Sequence, residues 1–265
     1  MTPPEALFRD IAVKSTDIRI RRIGVADLWQ ALKEGYEDFN EKPSFGFFLI
    51  LIYPLFALLV SFFAVGESPG HLVFPVLAGL TLLGPVGSVA LFAMSRRREL
   101  GLELEWRAAF DFIHSPSFAP IAALSVVMAL LYGAWLFMAQ FIYTGLFGAD
   151  PPESFSALLT EVVTTRRGGA LAFYGFGVGA IFALTAIAIS VFAFPLLLDK
   201  PATTTTAVLV SIRAVTANPV AMLVWGATVV VLLALGAALL LIGLAAVLPI
   251  LGHSTWHLYR KVVES

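Results

Sequence analysis

Residues 82–106 change solvent half-way along. From Leu82 to Met94 the chain carries no charge, and then Arg96, Arg97 and Arg98 follow together. An arginine held at the centre of a bilayer costs about 3 kcal/mol on insertion scales, so a helix entering this triplet is leaving the lipid. Clustered Lys and Arg mark the cytosolic face. This boundary therefore fixes both the depth and the direction of one membrane pass, and the others can be counted from it.

The remaining charges gather in 1–42, 99–111, 150–167, 199–213 and 260–264, and the stretches between are apolar. Only 13% of the residues are charged, against roughly 25% in a soluble domain. Apolar runs of about 20 residues between charged clusters read as transmembrane helices, so the expected class is an integral membrane protein. A net charge of −1 supplies no field to attract nucleic acid. With no cysteine, disulfides, thiolate metal sites and cysteine nucleophiles are excluded. The first apolar run starts near Phe45, after many charges, so no cleavable signal peptide is expected.

Residues 1–24 are polar. The alternation at 17–21 fits a short strand, but a lone strand is marginal in water, so a flexible cytosolic arm is expected. Asp27 with Gln30 three residues on makes a capping-box pattern. The helix it opens puts Leu28, Leu32, Gly35 and Phe39 on one face, with Lys33, Glu34, Glu37 and Asp38 elsewhere, and is expected to lie along the membrane until Pro43. Spans are expected at 45–65, 71–94, 118–146 and 170–198. Between them, 102–113 reads as an amphipathic helix with Leu102, Trp106, Phe110 and Ile113 on one side and a Glu103–Arg107 pair. A short surface helix is expected at 154–165. Thr203–Thr206 are expected to cap another amphipathic segment, with Val208, Ile212 and Val215 on one side.

The last apolar run, 219–256, is long enough for one very long helix or two short ones. Two grounds favour two spans, 219–238 and 240–258, turning near 236–243. The positive-inside rule places Arg260 and Lys261 with the other basic clusters. There is also a weak internal repeat: an amphipathic helix, then Pro43, Pro116 or Pro219, then an apolar hairpin, with Pro85, Pro195 and Pro249 near each return limb. The prediction is an all-α polytopic membrane bundle. Six spans form three hairpins, each preceded by an amphipathic interfacial helix. One membrane domain covers 25–262, and both termini are cytosolic.

Several short motifs carry a resemblance. They are Leu83-Gly84-Pro85, Ser95-Arg96-Arg97-Arg98-Glu99 with Gly101, and Asp27-Leu28-Trp29 with Gly35-Tyr36-Glu37-Asp38-Phe39. Near the end stand Leu248-Pro249-Ile250-Leu251-Gly252-His253, Trp256-His257 and Tyr259-Arg260. In these the chain, roughly from Val25 to Val262, resembles a family of bacterial multi-pass inner-membrane proteins catalogued as domain of unknown function 2189. It departs at 88–92, where a glycine and a tyrosine are expected before the arginines. The resemblance implies the topology and a bacterial cytoplasmic membrane. It implies no reaction and no catalytic residue.

Arg96, Arg97 and Arg98 read as a topology anchor that touches lipid phosphates, or as a docking site for an acidic partner. His253 and His257 are four apart, the spacing for a metal or an axial haem position on one helix face. With Trp256 and Tyr259 beside them, an aromatic interfacial belt is the simpler account. Gln140 is the most polar residue inside a proposed span and is expected to bond another helix. Gly175, Gly177 and Gly179 suit close helix packing. No Walker loop, nucleophile elbow or zinc-protease motif is present. The expectation is a non-enzymatic membrane protein without cofactor, an accessory or scaffold subunit or an assembly helper. Its partners are then the bilayer and either a larger membrane complex or further copies of itself. The alternatives are a transporter for an apolar or weakly polar solute and a haem- or copper-binding respiratory component.

Overall fold

The structure is a computed structural model and describes residues 15–43, 70–148, 151–239 and 242–264. The expected span at 45–65 lies outside these residues. Among the described residues four helical stretches are long and apolar enough to cross a membrane: Val73–Glu99, Phe118–Phe147, Arg166–Asp199 and Pro219–Ala238. The expected spans at 71–94, 118–146, 170–198 and 219–238 match them closely. The segment expected at 240–258 is not among them. Its helix, Leu244–Val262, carries His253, Ser254, His257, Arg260 and Lys261, and these lower its hydropathy.

The chain divides into two compact units, 1–54 with 85–126 and 187–265, and 55–84 with 127–186. The first unit contains α1 (Val25–Glu41), α2 (Val89–Glu99), α3 (Ala193–Asp199), α4 (Thr204–Ala217), α5 (Pro219–Ala238) and α6 (Leu244–Val262). Helix α6 is the centre of this unit. Its Trp256, Leu258, Tyr259 and Val262 are fully buried, and α1, α2, α3 and α5 all pack against it.

Helix α1 starts one turn before the expected cap. Gly24 is the N-cap, and the Asp27 carboxylate reaches back to accept its N–H at 2.8 Å, so Asp27 closes the first turn from inside the helix. The buried face is Leu28, Ala31, Gly35 and Asp38, and it lies on α6, so protein covers it. Trp29 and Tyr36 stay exposed. The approach is close: a Cβ on Gly35 would sit 2.5 Å from the Ser254 amide nitrogen. Glycine is what lets the two backbones meet.

Helix α2 stops cleanly after the arginines. Gly101 takes φ +66°, and the amides of Gly101 and Leu102 bond back to the carbonyls of Arg98 and Arg97 at 3.0 Å each. This is the left-handed glycine stop that ends many helices. The helix expected over 102–113 therefore begins late, as a 3-10 segment over Ala108–His114. Leu102, Phe110 and Ile113 are exposed there. The cap at Thr203 is as expected, with its hydroxyl accepting the Thr206 amide at 3.2 Å. The buried face of α4 is Ala207, Val210, Ser211 and Ala214. This corrects the expected face, because the small residues, not Val208, Ile212 and Val215, let α4 approach its neighbours. Gly236 of α5 and Gly243, the N-cap of α6, meet closely: a Cβ on Gly243 would lie 2.7 Å from the Gly236 Cα.

The N-terminal arm is docked where it is described. Ile20 pairs with Val263 in an antiparallel bridge. The Arg21 amide donates to Val262 O at 2.8 Å, and the Glu264 amide to Arg19 O at 3.1 Å. Asn218 accepts the Ile23 amide at 2.8 Å. This corrects the flexible arm expected there: over its described residues the C-terminal segment supplies the backbone partners that a lone strand lacks.

In the second unit, Trp135 donates from Nε1 to Pro75 O at 2.8 Å. Gly79 leaves room for Tyr132 and Trp135, each within 2.6 Å of where its Cβ would be. Gln140 does bond another element: His71 Nε2 lies 2.6 Å from its Oε1. The His71 ring stacks on Tyr143 with centroids 3.5 Å apart. Gly179 packs against Trp135. The short helix Phe155–Thr164 forms as expected, capped by Ser154 accepting the Ala157 amide at 3.1 Å.

Candidate functional site

The polar residues of α6 gather carboxylates from three other helices of the first unit into two nodes. The first is Asp38, only 4% exposed. Its Oδ2 accepts from Ser95 Oγ at 2.5 Å and faces His257 Nε2 at 2.8 Å. Its Oδ1 accepts from Arg98, which also holds Glu41. Ser95 has one proton and gives it to Asp38, so the 2.8 Å contact between Ser95 Oγ and His253 Nδ1 requires Nδ1–H of His253 as donor. A fully buried carboxylate is tolerated only with such a set of donors. Burial alone raises the Asp38 pKa, but the hydrogen bonds from His257 and Ser95 outweigh it, and the carboxyl ends below its ordinary value.

The second node joins Glu99 and Asp199, the last residues of α2 and α3. Arg260 donates to Glu99 from Nε at 3.0 Å and Nη2 at 2.7 Å, and lies 3.3 Å from Asp199 through Nη1. Trp256 Nε1 donates to Glu99 at 3.2 Å, and Tyr259 Oη donates to Asp199 at 2.8 Å. Between the nodes, Lys261 Nζ donates to Glu34 at 3.0 Å. A cavity of about 510 Å³ opens among Arg21, Glu34, Asp38, Arg98, His257 and Lys261.

The expected site residues are thus placed individually. Arg98 is bound to Asp38 and Glu41. Arg96 lies 3.6 Å from Asp199. Arg97 donates to the Glu103 carbonyl at 2.9 Å. His253 and His257 share one helix face and both point at Asp38. Among the described residues no group of three or more His, Cys, Asp or Glu has the arrangement of a metal site. Trp256 and Tyr259 are fully buried, so they are core residues bonded to carboxylates, not an interfacial belt. Asp38, Ser95 and Asp199 are not among the site residues expected from the sequence, and Asp38 is expected off the apolar face on which it lies. Asp38 was legible, since 28, 31, 35 and 38 follow the 3–4 spacing of one helix face. The charge of Asp38 disguised that pattern.

His253 is 3% exposed, and burial lowers its pKa from 6.5 to about 4, against the opposing pull of Asp38. The unfolded imidazole protonates near 6.5 and the folded one only near 4, so the unfolded state takes up more protons between these values. Stability is therefore full above pH 6.5 and falls as pH drops towards 4, by on the order of 3 kcal/mol. Protonation of Asp38 adds to the loss at lower pH still. Thermal midpoints in detergent at pH 7.5 and 4.5 check this. His253→Asn, which keeps a side-chain N–H, should flatten the difference.

Residues 73–199, a little under half of the chain, match the model of a family described as predicted integral membrane protein (DUF2189). The match takes in α2, α3 and three of the four candidate spans. Comparison with curated proteins and with solved structures finds no match.

Proposed function

We propose, with the integral-membrane family match over 73–199 as premise, that this chain is a non-enzymatic accessory or assembly subunit in a bacterial cytoplasmic membrane. The observation that carries the reading is the apolar surface that the described spans leave exposed. Only 22% of the apolar window of Phe118–Phe147, and of Pro219–Ala238, is buried inside the chain. Phe137, Phe141, Phe173 and Phe176 are each at least 65% exposed. Lipid accounts for part of this surface. Small residues mark where a partner helix would lie: at Gly133, Gly145, Gly175 and Gly177 an added Cβ meets nothing among the described residues within 4 Å, the kind of face along which helices approach closely in lipid.

The charged groups support the same reading, because the two nodes spend their carboxylates on tying helices together. The same reading takes both termini as cytosolic: the Ile20–Val263 bridge supports placing them together, and the basic cluster 96–98 supports the cytosolic side. The transporter and haem readings have less behind them. The Gln140 side chain is taken by His71, and His253 and His257 are engaged with Ser95 and Asp38.

Purification in a gentle detergent followed by native mass spectrometry tests the proposal. A complex with another membrane protein, or a defined oligomer, is expected. Gly175→Leu with Gly177→Leu should strip the partner while leaving the thermal midpoint of the isolated chain unchanged. A monodisperse monomer, with no partner recovered under several mild conditions, would overturn the reading.

A further inference from the structure

The cavity beside α6 holds more hydrogen-bond donors than its own carboxylates use. Arg21, Arg98, Arg260 and Lys261 line it, against Glu34, Asp38 and Glu99. The carboxylates are satisfied by short bonds. The donors are not used up. Lys261 spends one N–H of its three on Glu34. Arg98 is engaged through Nε and Nη1, with no described bond to Nη2. Arg21 has its nearest described carboxylate, Glu264, at 3.9 Å, and both side chains are largely exposed. The volume, about 510 Å³, lies within the roughly 300–1,000 Å³ of small-molecule sites.

We propose that this cavity binds a phosphate group, carried by a lipid headgroup or by a small soluble phosphate compound. A tetrahedral oxyanion supplies the acceptors that Lys261, Arg98 and Arg21 lack. The planar guanidinium fork pairs with two of its oxygens at once, while the ammonium acts as a movable point charge. The cavity also adjoins the charged end of the Val73–Glu99 span, where the last turn of α2 carries Arg98 and Glu99. Headgroup phosphates lie at that level of a bilayer. The site is distinct from a surface lipid contact by the 96–98 triplet, since Arg96 and Arg97 do not line it and Arg21 and Lys261 come from elsewhere in the chain.

The test uses the full chain. Inorganic phosphate is titrated calorimetrically into detergent-purified protein. In a second arm, protein in nanodiscs of phosphatidylglycerol or phosphatidylcholine is analysed by native mass spectrometry for retained lipid. Binding in the first arm with no lipid retained in the second identifies a soluble phosphate ligand. Retention of phosphatidylglycerol, or of both lipids, since each carries a phosphate, identifies a headgroup. In whichever arm binds, Arg21→Gln with Lys261→Gln is expected to weaken binding at least tenfold, and Lys261→Arg to retain it. Arg21→Gln alone changes only an exposed side chain and should weaken binding about threefold, which keeps the test decisive if the double variant folds poorly. No binding in either arm, or equal binding by wild type and the Arg21 variant, would overturn the proposal.

Discussion

Replacing Gly35 with valine should lower the stability of the detergent-purified protein by about 3 kcal/mol, the upper end of the usual cost of overpacking. The reason is geometric. A Cβ at Gly35 would stand 2.5 Å from the Ser254 amide nitrogen and 2.7 Å from its Cα, and both atoms belong to the backbone of α6. No rotamer change relieves that clash, so α1 must move off α6. The movement takes Asp38, one turn on, away from His253 and His257. Gly133→Ala is the control, because its new methyl meets nothing among the described residues within 4 Å and the helix gains a better former. Thermal or chemical midpoints of the two variants decide the matter. If Gly35→Val unfolds like the wild type, α1 does not pack on α6 as described.

The second large effect is expected at Asp38→Ala. Removing one partner from a buried ionic network typically costs about 3–5 kcal/mol, because the remaining groups keep their desolvation without compensation. Here the side chain of Asp38 is 2% exposed and His253 4%, and Arg98 and Ser95 also lose their acceptor. Arg98 is 34% exposed and can turn to water or Glu41, so the lower end of the range is expected. Glu37→Gln, in an exposed pair with Lys33 at 3.9 Å, should change the midpoint by less than about 0.5 kcal/mol. Chemical unfolding of both variants at pH 7.5 measures the contrast. Equal effects would mean that Asp38 is not the buried node.

These two sites also divide what was legible from what was not. The spacing of apolar runs between charged clusters was enough to find the spans near 71–94, 118–146, 170–198 and 219–238. The cap within Thr203–Thr206 was equally plain, because capping depends on side chains within one turn. The buried faces of α1 and α4 were not, because small residues and a charge occupy them. A hydropathy pattern counts glycine, alanine and serine as weak and aspartate as polar, whatever they touch.

What the sequence by itself determined was which described stretches are long and apolar enough for lipid, at 71–94, 118–146, 170–198 and 219–238. Hydrocarbon tolerates about 20 apolar residues in a helix and rejects Arg96–Arg98, and this rule needs no knowledge of neighbours. What only the tertiary structure decided was the fate of the charges. Asp38 and His253 lie far apart along the chain, and nothing local says that they meet on α6 with Ser95 between them. Likewise the strand pattern near Ile20 has meaning only once Val263 lies beside it. A desolvated charge is stable only with a partner at bonding distance, and partners are set by how helices pack, a property that no single stretch of sequence carries.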